Sequence, residues 1–340
     1  MRESIQAIHG KKCISDELAE AIQDFAAEYQ TLESYVLEKD IFVVEAIRSI
    51  LSTQEDTFQL VFCGGTCLSK AYNLLERMSE DVDFKIVVKK GLTKSALRRE
   101  LSHYLKRIES QLIQSFGDGN ISKESGNNNR YTEFKVTYAS LFPEVDSLRP
   151  ELKIELTYAE INHPTQFLRF GTLFNQLLLK HQLSLPFSLP FPVEEIEIEC
   201  ISLNQALVEK LVSFPRRLAM KLSKTDVNLS SEDNELIRHL YDVHQILAKH
   251  PELIENIDEL SILLMKVIEK DAEDFKNQYQ RFLIDPEGEM LNALSYAKQN
   301  EDLRAQYEKF VQDMIYANTI PTFGDALQVF TDTLNKLLSK

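Results

Sequence analysis

The sequence has few cysteines, and their spacing argues against two classes of protein. Only four cysteines occur in 340 residues, and they show neither a paired zinc-binding spacing nor a disulfide-rich pattern. Cys63 and Cys67 form a close pair, but no third or fourth ligand accompanies them, so buried packing is the favoured interpretation. The pattern therefore excludes a zinc-finger domain and a small disulfide scaffold.

Long apolar runs are also missing. No stretch reaches the length that a membrane-spanning helix requires, and the segment 1–6 lacks the apolar core of a secretion signal. We therefore expect a cytoplasmic protein that has no membrane partner.

Basic residues are in deficit, with 38 lysines and arginines against 53 acidic residues and a net charge of −15. Such a chain is not a general nucleic-acid coat, because phosphate neutralisation needs clustered lysine and arginine. Any contact with nucleic acid must be local, or limited to a strand end or a single nucleotide. With 44% hydrophobic residues, the chain is long enough for a large core divided between two domains.

The chain changes character near residue 200. Before that point, helical periodicity at 15–52 and 94–116 alternates with β-branched and alternating segments that predict strands. The segment 117–130 is rich in glycine, serine and asparagine and predicts a loop, and prolines punctuate a connection at 186–192. After Ser202 only helical patterns remain.

A glycine pair separates a predicted strand from an apolar-periodic segment. Gly64 and Gly65 follow the β-rich run 58–62 and precede Thr66. Glycines let the backbone approach a phosphate, and Thr66 could cap the next helix, whose positive end would face the anion. Ser69, one helical turn further on, could touch phosphates as well. A tight strand-to-helix turn with an ordinary cap is the alternative interpretation.

Two aspartates stand one residue apart at the entry of the next predicted strand. Because residues i and i+2 of a strand point to one face, Asp81 and Asp83 should converge. Their repulsion, about 2–3 kcal/mol at an effective dielectric near 20, would be relieved by a cation. Carboxylate oxygens suit Mg²⁺ or Mn²⁺. A solvated Asp-x-Asp turn is the alternative, but the neighbouring glycine turn favours a nucleotidyl-transfer site.

The segments 64–72 and 77–83 together resemble the first motif of the AbiEii-type nucleotidyltransferase toxins. That family is a branch of the DNA polymerase β-like nucleotidyltransferase superfamily. Shorter likenesses continue along most of the chain, at Leu37–Asp40, Lys153–Glu155, Val208–Leu211 with Arg217, and Arg238–Val243. Two departures are Met78, where an aromatic residue is usual, and His239, where many relatives carry an acidic residue.

The resemblance implies magnesium-dependent transfer of a nucleotide to an acceptor, with tRNA 3′ ends modified by some members, and a cognate antitoxin. It also implies roles for particular residues. The expected catalytic residues are Asp81, Asp83, Glu155, Lys210 and Asp242; the nucleotide-binding residues are Gly64, Gly65, Thr66, Ser69, Arg77 and Lys210; the metal ligands are Asp81 and Asp83.

Four of these roles have simpler alternatives. Lys210 could bind the β- and γ-phosphates or be a solvated helix lysine. Asp242 could orient Lys210 or pair with the arginine one helical turn before it. Glu155 could be a third carboxylate or pair with the lysine two residues before it. Arg77 could touch phosphates or pair with Glu80.

We therefore expect an α+β fold: an N-terminal nucleotidyltransferase-type mixed sheet with flanking helices at 1–200, then a helical C-terminal lobe at 201–340. The expected activity moves a nucleoside monophosphate from an NTP to RNA, in particular a tRNA 3′ end, as the toxin of a toxin–antitoxin pair. Nucleotidylation of a protein, transfer of the terminal phosphate, and an inactive binding protein of the same fold are the alternatives.

Overall fold

A computed structural model describes residues 5–8, 10–29, 32–89, 91–126, 129–143, 148–185, 195–223 and 235–340. The predicted proline-rich connection at 186–192 lies entirely outside these residues. Internal contacts divide the chain into two compact units. The first contains Met1–Asn73, Met78–Ile161 and Thr165–Cys200, and the second contains Leu74–Arg77, Asn162–Pro164 and Ile201–Lys340. The assignment of 1–200 and 201–340 as functional domains stays a prediction.

The first unit is built on a mixed sheet of seven strands in the order β5-β6-β7-β4-β3-β9-β8. The pairs β4–β7 and β3–β9 are parallel, and the other neighbours are antiparallel. A separate hairpin joins β1 to β2. The elements are β1 (Ile5–Ile8), β2 (Lys11–Ile14), α1 (Asp16–Tyr29), α2 (Ser34–Leu51), β3 (Phe58–Cys63), α3 (Gly64–Thr66) with a π-helical continuation (Cys67–Ala71), β4 (Asp81–Val88), α4 (Lys94–Phe116), β5 (Ile121–Gly126), β6 (Tyr131–Val136), β7 (Leu152–Tyr158), β8 (Gln166–Phe170), α5 (Leu173–Lys180) and β9 (Ile196–Cys200).

Strand β4 shows why the two faces of this sheet differ. Val82, Phe84 and Ile86 are buried, whereas Asp81 and Asp83, which alternate with them, are only half-buried. Successive side chains of a strand point to opposite faces, so the apolar set faces the core and the aspartates face the other side. Helix α2 packs against β4 and against α4. The sheet thus presents its polar face away from the core.

Helix α2 is buried almost all round and still carries three consecutive charged residues, Glu38, Lys39 and Asp40. Each has a partner. Glu38 accepts the backbone N–H of Leu141 at 2.9 Å, Lys39 pairs with Glu80 at 3.0 Å, and Asp40 accepts the first N–H of α5 at 2.7 Å. Buried charges are tolerated only with such partners. These contacts join α2 to later segments of the first unit.

Glu38 gives a pH-dependent prediction. Burial raises its pKa from an ordinary 4.5 to about 7, and hydrogen bonds from Ser140 and Leu141 offset this only in part. A raised native pKa means that the folded state holds the proton more tightly. The contribution of Glu38 to stability is therefore greatest below pH 4.5 and is lost as the pH rises through 7.

Replacing Glu38 by glutamine, which stays neutral, should remove this fall and stabilise the protein at pH 8 by about 2–3 kcal/mol. Urea unfolding at pH 5 and pH 8 measures it. The exposed Glu20 provides the control, because Glu20→Gln should leave the pH dependence unchanged. An equal pH dependence in Glu38→Gln and the unmodified protein would contradict the prediction.

One prediction from local pattern is confirmed and one needs correction. The helical pattern at 15–52 forms the two helices α1 and α2. The segment 117–130, which the composition predicts to be a loop, contains β5, which pairs with β6 from Ile121 opposite Val136. β5 is an edge strand, with a neighbouring strand on one side only. Edge strands tolerate polar and charged residues, so the composition of this strand resembles that of a loop.

In the described residues, the regular elements of the second unit are helices, apart from an isolated β-bridge between Arg77 and Ile315. Its elements are α6 (Leu203–Leu222), α7 (Arg238–Lys249), α8 (Ile257–Phe275), α9 (Gln280–Ile284), α10 (Pro286–Gln299), α11 (Glu301–Met314) and α12 (Phe323–Leu338), with a short 3₁₀ turn at Pro251–Ile254. Together with the mixed sheet and its flanking helices, this confirms the predicted α+β class. Among the residues described, no helix combines the length and apolarity needed to cross a bilayer.

Candidate active site

Asp81 and Asp83 lie on one face of β4, as the sequence predicts. β4 is flanked by β3 and β7, and the register places Asp83 opposite Cys63 on one side and beside Glu155 on the other. Neighbouring residues in register point to the same face of a sheet. Three carboxylates from two strands are therefore arranged along the polar face.

Gly64 makes room for one of these carboxylates. Its backbone has φ +74°, and a Cβ placed there would lie 1.8 Å from Oδ2 of Asp83. A side chain at Gly64 would thus meet both backbone strain and a steric clash. The glycine lets the Asp83 carboxylate lie directly against the turn that follows β3. The sequence suggests close approach of a phosphate here, and the structure shows close approach of a carboxylate.

We predict that Gly64→Ala displaces Asp83 and lowers activity by about a hundredfold or more, the scale on which misplacing a catalytic group costs rate. Nucleotide transfer by the purified variant is the measurement. The control is Gly119→Ala, because Gly119 has a similar φ of +83° but no neighbour within 4 Å of the position that a Cβ would take. Gly119→Ala should introduce backbone strain without a steric clash, so its nucleotide transfer should stay close to that of the unmodified protein. Equal activities of the two variants would argue against a role for the Gly64–Asp83 contact.

Thr66 is buried but does not cap a helix. The helical turn begins at Gly64 with Cys63 in the cap position, and Thr66 already lies inside it. Its hydroxyl contacts the backbone carbonyl of Asp81, to which it donates, and lies 2.9 Å from Oγ of Ser79. Thr66 therefore ties the turn to the start of β4. The prediction of an N-cap is wrong, because the helix begins three residues earlier than the pattern indicates.

Two further residues predicted to bind nucleotide belong to the same segment. Gly65 is the second residue of α3 and is half-buried, and Ser69 lies buried within the π-helical continuation. Their position next to the Gly64 turn is as the sequence predicts. Contact of either residue with a phosphate stays a prediction.

Glu155 has protein partners on the polar face. Lys153 pairs with it at 2.5 Å, and the hydroxyl of Tyr131 lies 3.2 Å from Glu155 and 3.0 Å from Glu133, within donating distance of both. Burial and the two carboxylates raise the pKa of Tyr131 well above its usual range. The pairing with Lys153 is the simpler of the two interpretations. A third-carboxylate role for Glu155 therefore stays a prediction.

Arg149 is a site neighbour that the sequence does not reveal. Its Nη1 donates to Oδ1 of Asp81 at 2.5 Å. Arg149 precedes β7 and is 68 residues from Asp81 along the chain, and it belongs to none of the motifs. Only the pairing of β4 with β7 brings them together, so no local signal could have identified it.

The second unit contains a buried cluster of two cations and one carboxylate. Arg77 contacts Asp242 through Nε at 2.8 Å and through Nη2 at 2.9 Å, and Nζ of Lys210 lies 2.7 Å from the same carboxylate. Burial alone would raise the pKa of Asp242, but Arg77 and Lys210 outweigh it and hold the pKa well below its usual range. Asp242 is therefore ionised at neutral pH.

This cluster shows protein partners of three residues whose roles the sequence leaves open, while phosphate binding by Lys210 and Arg77 stays a prediction. Asp242 contacts Lys210, as one interpretation has it, and Lys210 is buried rather than a solvated helix lysine. Arg77 pairs with Asp242, while Glu80 pairs with Lys39 in the first unit, so the structure favours these partners over an Arg77–Glu80 pair. The segment Leu74–Arg77 belongs to the second unit, which periodicity could not reveal.

The donor chemistry of the first unit is compatible with a divalent cation. Within the described residues, no three His, Cys, Asp or Glu side chains are grouped so that they could hold an ion by themselves. Asp81 and Asp83 offer two carboxylates on one face. Mg²⁺ is commonly bound by one or two carboxylates together with waters and substrate phosphates, and this pair matches that requirement.

Comparisons with known proteins identify the family and a similar fold. The family model described as nucleotidyl transferase AbiEii toxin, Type IV TA system, matches residues 45–329. The fold is similar to that of MenT4, a nucleotidyltransferase toxin from Mycobacterium tuberculosis H37Rv, with a TM-score of 0.54 and 15% sequence identity over 95% of this chain and 90% of that one. No curated protein matches the chain in sequence.

The family model covers far more than half of the chain and includes the glycine turn, both aspartates, Lys210 and Asp242. Its members are nucleotidyltransferases of toxin–antitoxin systems, an enzyme class that generally uses a divalent metal. The chain thus belongs to the AbiEii nucleotidyltransferase toxin family.

Proposed function

We propose that this enzyme transfers a nucleoside monophosphate from an NTP to an RNA acceptor, with the 3′ end of tRNA as the expected target. The observation that carries the proposal is the polar face of β4, which holds Asp81 and Asp83, with Asp83 beside Glu155 and against Gly64. Carboxylates on a rigid strand next to a glycine turn suit the handling of a triphosphate. The RNA acceptor is supported by the family resemblance alone.

Asp81 and Asp83 would hold the divalent cation, with Mg²⁺ as the expected ion and Mn²⁺ as its substitute. When bound, such an ion neutralises phosphate charge and favours departure of pyrophosphate. Around it, Gly64 and Gly65 would leave space for the phosphates. Thr66 would hold the turn in register with β4 through its hydrogen bond to the Asp81 carbonyl.

Glu155 is the proposed acceptor of the proton from the attacking hydroxyl. It lies beside Asp83 in register, and its hydrogen bonds to Lys153 and Tyr131 would orient the carboxylate. The acceptor hydroxyl would attack the α-phosphorus in line, the bond to the β-phosphate bridging oxygen would break, and pyrophosphate would leave. A general base must lie within hydrogen-bond reach of that hydroxyl, and substrate binding would have to provide this geometry.

Arg77 and Lys210 remain the proposed phosphate-binding cations of the second unit. They share the carboxylate of Asp242, which holds both side chains in place. Both residue types bind phosphate, lysine as a point charge and arginine through its planar fork. Asp242 would position both cations rather than touch the substrate.

The test uses purified enzyme with each of the four NTPs, labelled at the α-phosphorus in one series and at the γ-phosphorus in another, together with total RNA and total protein. Label from the α-position on RNA supports the proposal. Label on protein would indicate nucleotidylation of a protein, and label from the γ-position would indicate phosphate transfer. No label from either series would favour a binding protein of the same fold.

A cognate antitoxin is the expected protein partner, since family members belong to toxin–antitoxin systems. Expression of the chain alone should arrest growth, and co-expression of the product of a neighbouring gene should relieve the arrest. Relief without loss of the enzyme would identify that product as the antitoxin. Growth that is unaffected by the active enzyme would contradict the toxin assignment.

A further inference from the structure

The Asp81 carboxylate, proposed above as a metal ligand, is engaged by a guanidinium. Nη1 of Arg149 lies 2.5 Å from Oδ1 of Asp81. The Arg149 side chain is one of the more accessible groups at this place, with 33% of its surface exposed, against 14% for Asp81. The guanidinium therefore lies where an incoming polyanion could reach it.

The backbone of Arg149 is held from the buried side by three side chains. Its N–H donates to Oε2 of Glu80 at 3.0 Å. Its carbonyl accepts hydrogen bonds from the hydroxyl of Tyr35 at 3.2 Å and from Nζ of Lys39. Lys39 also donates to the carbonyl of Glu151 at 3.2 Å, two residues further on. Both backbone polar groups of Arg149 are thus anchored to buried groups.

Lys39 and Glu80 also pair with each other at 3.0 Å, and their side chains are 0% and 3% exposed. Burying an ion pair is costly and is offset only when its remaining hydrogen-bonding groups are used. Here Lys39 donates to the backbone carbonyls of Arg149 and Glu151, and Glu80 accepts the backbone N–H of Arg149. The pair thus gives a rigid support to a residue whose guanidinium contacts the candidate site.

A firmly anchored arginine with an accessible guanidinium suits recognition of phosphate, because its planar fork matches two phosphate oxygens. The contact between the Arg149 guanidinium and Asp81 also affects cation binding. A divalent cation and a guanidinium are both positive, so they compete for the same carboxylate. Binding of a cation at Asp81 would therefore release the guanidinium close to the phosphates that accompany the cation.

We propose that Arg149 is a further nucleotide-binding residue, which holds Asp81 while no nucleotide is present and binds the triphosphate once a divalent cation occupies Asp81. The inference rests on the proposed function, because it requires an NTP site at Asp81 and Asp83. It assigns a role to Arg149 that neither its position in the sequence nor the motifs indicate.

The experiment compares Arg149→Gln with Arg169→Gln. Arg169 serves as the matched control, since it also pairs with a carboxylate of the first unit, Glu197 at 2.9 Å, but both partners are exposed. Two affinities are measured for the full chain: Mn²⁺ alone by electron paramagnetic resonance, and a non-hydrolysable NTP analogue with Mg²⁺ by calorimetry. Thermal unfolding verifies that each variant is folded.

We expect opposite changes in Arg149→Gln: Mn²⁺ should bind several-fold more tightly, because its competitor is gone, and the analogue about tenfold more weakly, because a charged hydrogen bond is lost. Arg149→Lys, which keeps the charge without the fork, should show a smaller loss for the analogue. Arg169→Gln should change neither affinity.

A purely supporting role would weaken both affinities together in Arg149→Gln, and unchanged affinities would mean no role at all; either result overturns the inference. If Arg149→Gln does not fold, the comparison of Arg149→Lys with the unmodified chain decides, and equal affinities for the analogue would overturn it. The activity of the unmodified enzyme distinguishes failure of the inference from failure of the proposed function. If the unmodified enzyme binds and transfers nucleotide while the Arg149 variants behave like it, only the inference about Arg149 fails.

Discussion

Asp83→Asn is expected to lower nucleotide transfer by about a hundred- to a thousandfold while leaving the protein folded. Asparagine keeps the size of the side chain, so it can still lie against Gly64, where a larger group could not fit. It lacks the negative charge that a divalent cation requires from this pair of carboxylates. Asp83 is half-buried on the polar face of the sheet, and thermal unfolding of the variant verifies that it is folded.

The measurement is incorporation of α-labelled nucleotide under conditions where the unmodified enzyme is linear in time. Glu197→Gln provides the control, since Glu197 is an exposed carboxylate on β9 in the same unit. It should retain full activity. Should Asp83→Asn incorporate label as fast as Glu197→Gln, the metal assignment would have to be abandoned, and with it the geometry on which the proposed function rests.

Asp242→Asn is expected to lower the free energy of unfolding by about 3–5 kcal/mol, the largest effect on stability predicted here. Arg77 and Lys210 are buried around this carboxylate, at 2.8 Å and 2.7 Å. Asp242→Asn removes the carboxylate that these two buried cations share, so their mutual repulsion is no longer offset by it. The loss should therefore exceed by far that of any surface ion pair in the chain.

Calorimetric unfolding of the full chain measures this effect. Asp274→Asn is the control, because Asp274 pairs with Lys270 one helical turn away in α8 at 2.7 Å, and both partners are exposed. Such a pair contributes about 0.5 kcal/mol or less. Replacing Arg77 and Lys210 by methionine in the Asp242→Asn background should restore much of the stability, since no buried charge remains in the cluster. Equal losses in Asp242→Asn and Asp274→Asn would contradict the buried cluster.

The pH dependence of this cluster follows from the depressed pKa of Asp242. A carboxyl whose native pKa is lowered contributes stability that is present above its unfolded pKa of 3.8 and is lost as the pH falls below it. The difference in stability between the unmodified chain and Asp242→Asn should therefore be constant from about pH 5 to 8 and shrink in acid. Glu38 has the opposite sign, since its contribution is lost as the pH rises.

The first motif can be predicted from sequence because its signals are local. Neighbouring residues are enough to define both of its parts. These are a strand followed by two glycines and a second strand that opens with Asp81 and Asp83. The alternation of β4 is enough to predict that both aspartates share one face, and the fold agrees. The fold class is predictable for the same reason, since it rests on where strand patterns stop and helical patterns begin.

The partners of the charged and polar residues cannot be predicted in this way. The pattern around Thr66 indicates an N-cap, yet its hydroxyl bonds to the carbonyl of a residue on the next strand. Glu80 stands between two motif residues and suggests a pair with Arg77, but it pairs with Lys39 on α2. In each case the pattern offers a neighbour in sequence, whereas the folded chain provides a partner on another element.

By itself, the amino-acid sequence determined the alternation of strands and helices, the glycine turn and the shared face of the two aspartates, because these depend on backbone preferences over a few residues. Tertiary structure alone decided that Asp83 lies against Gly64, that Arg149 meets Asp81, and that Arg77 and Lys210 share Asp242. Those contacts join residues 19 to 165 positions apart. Which of many possible charge pairs forms at such separations depends on strand order and helix packing, which no local pattern encodes.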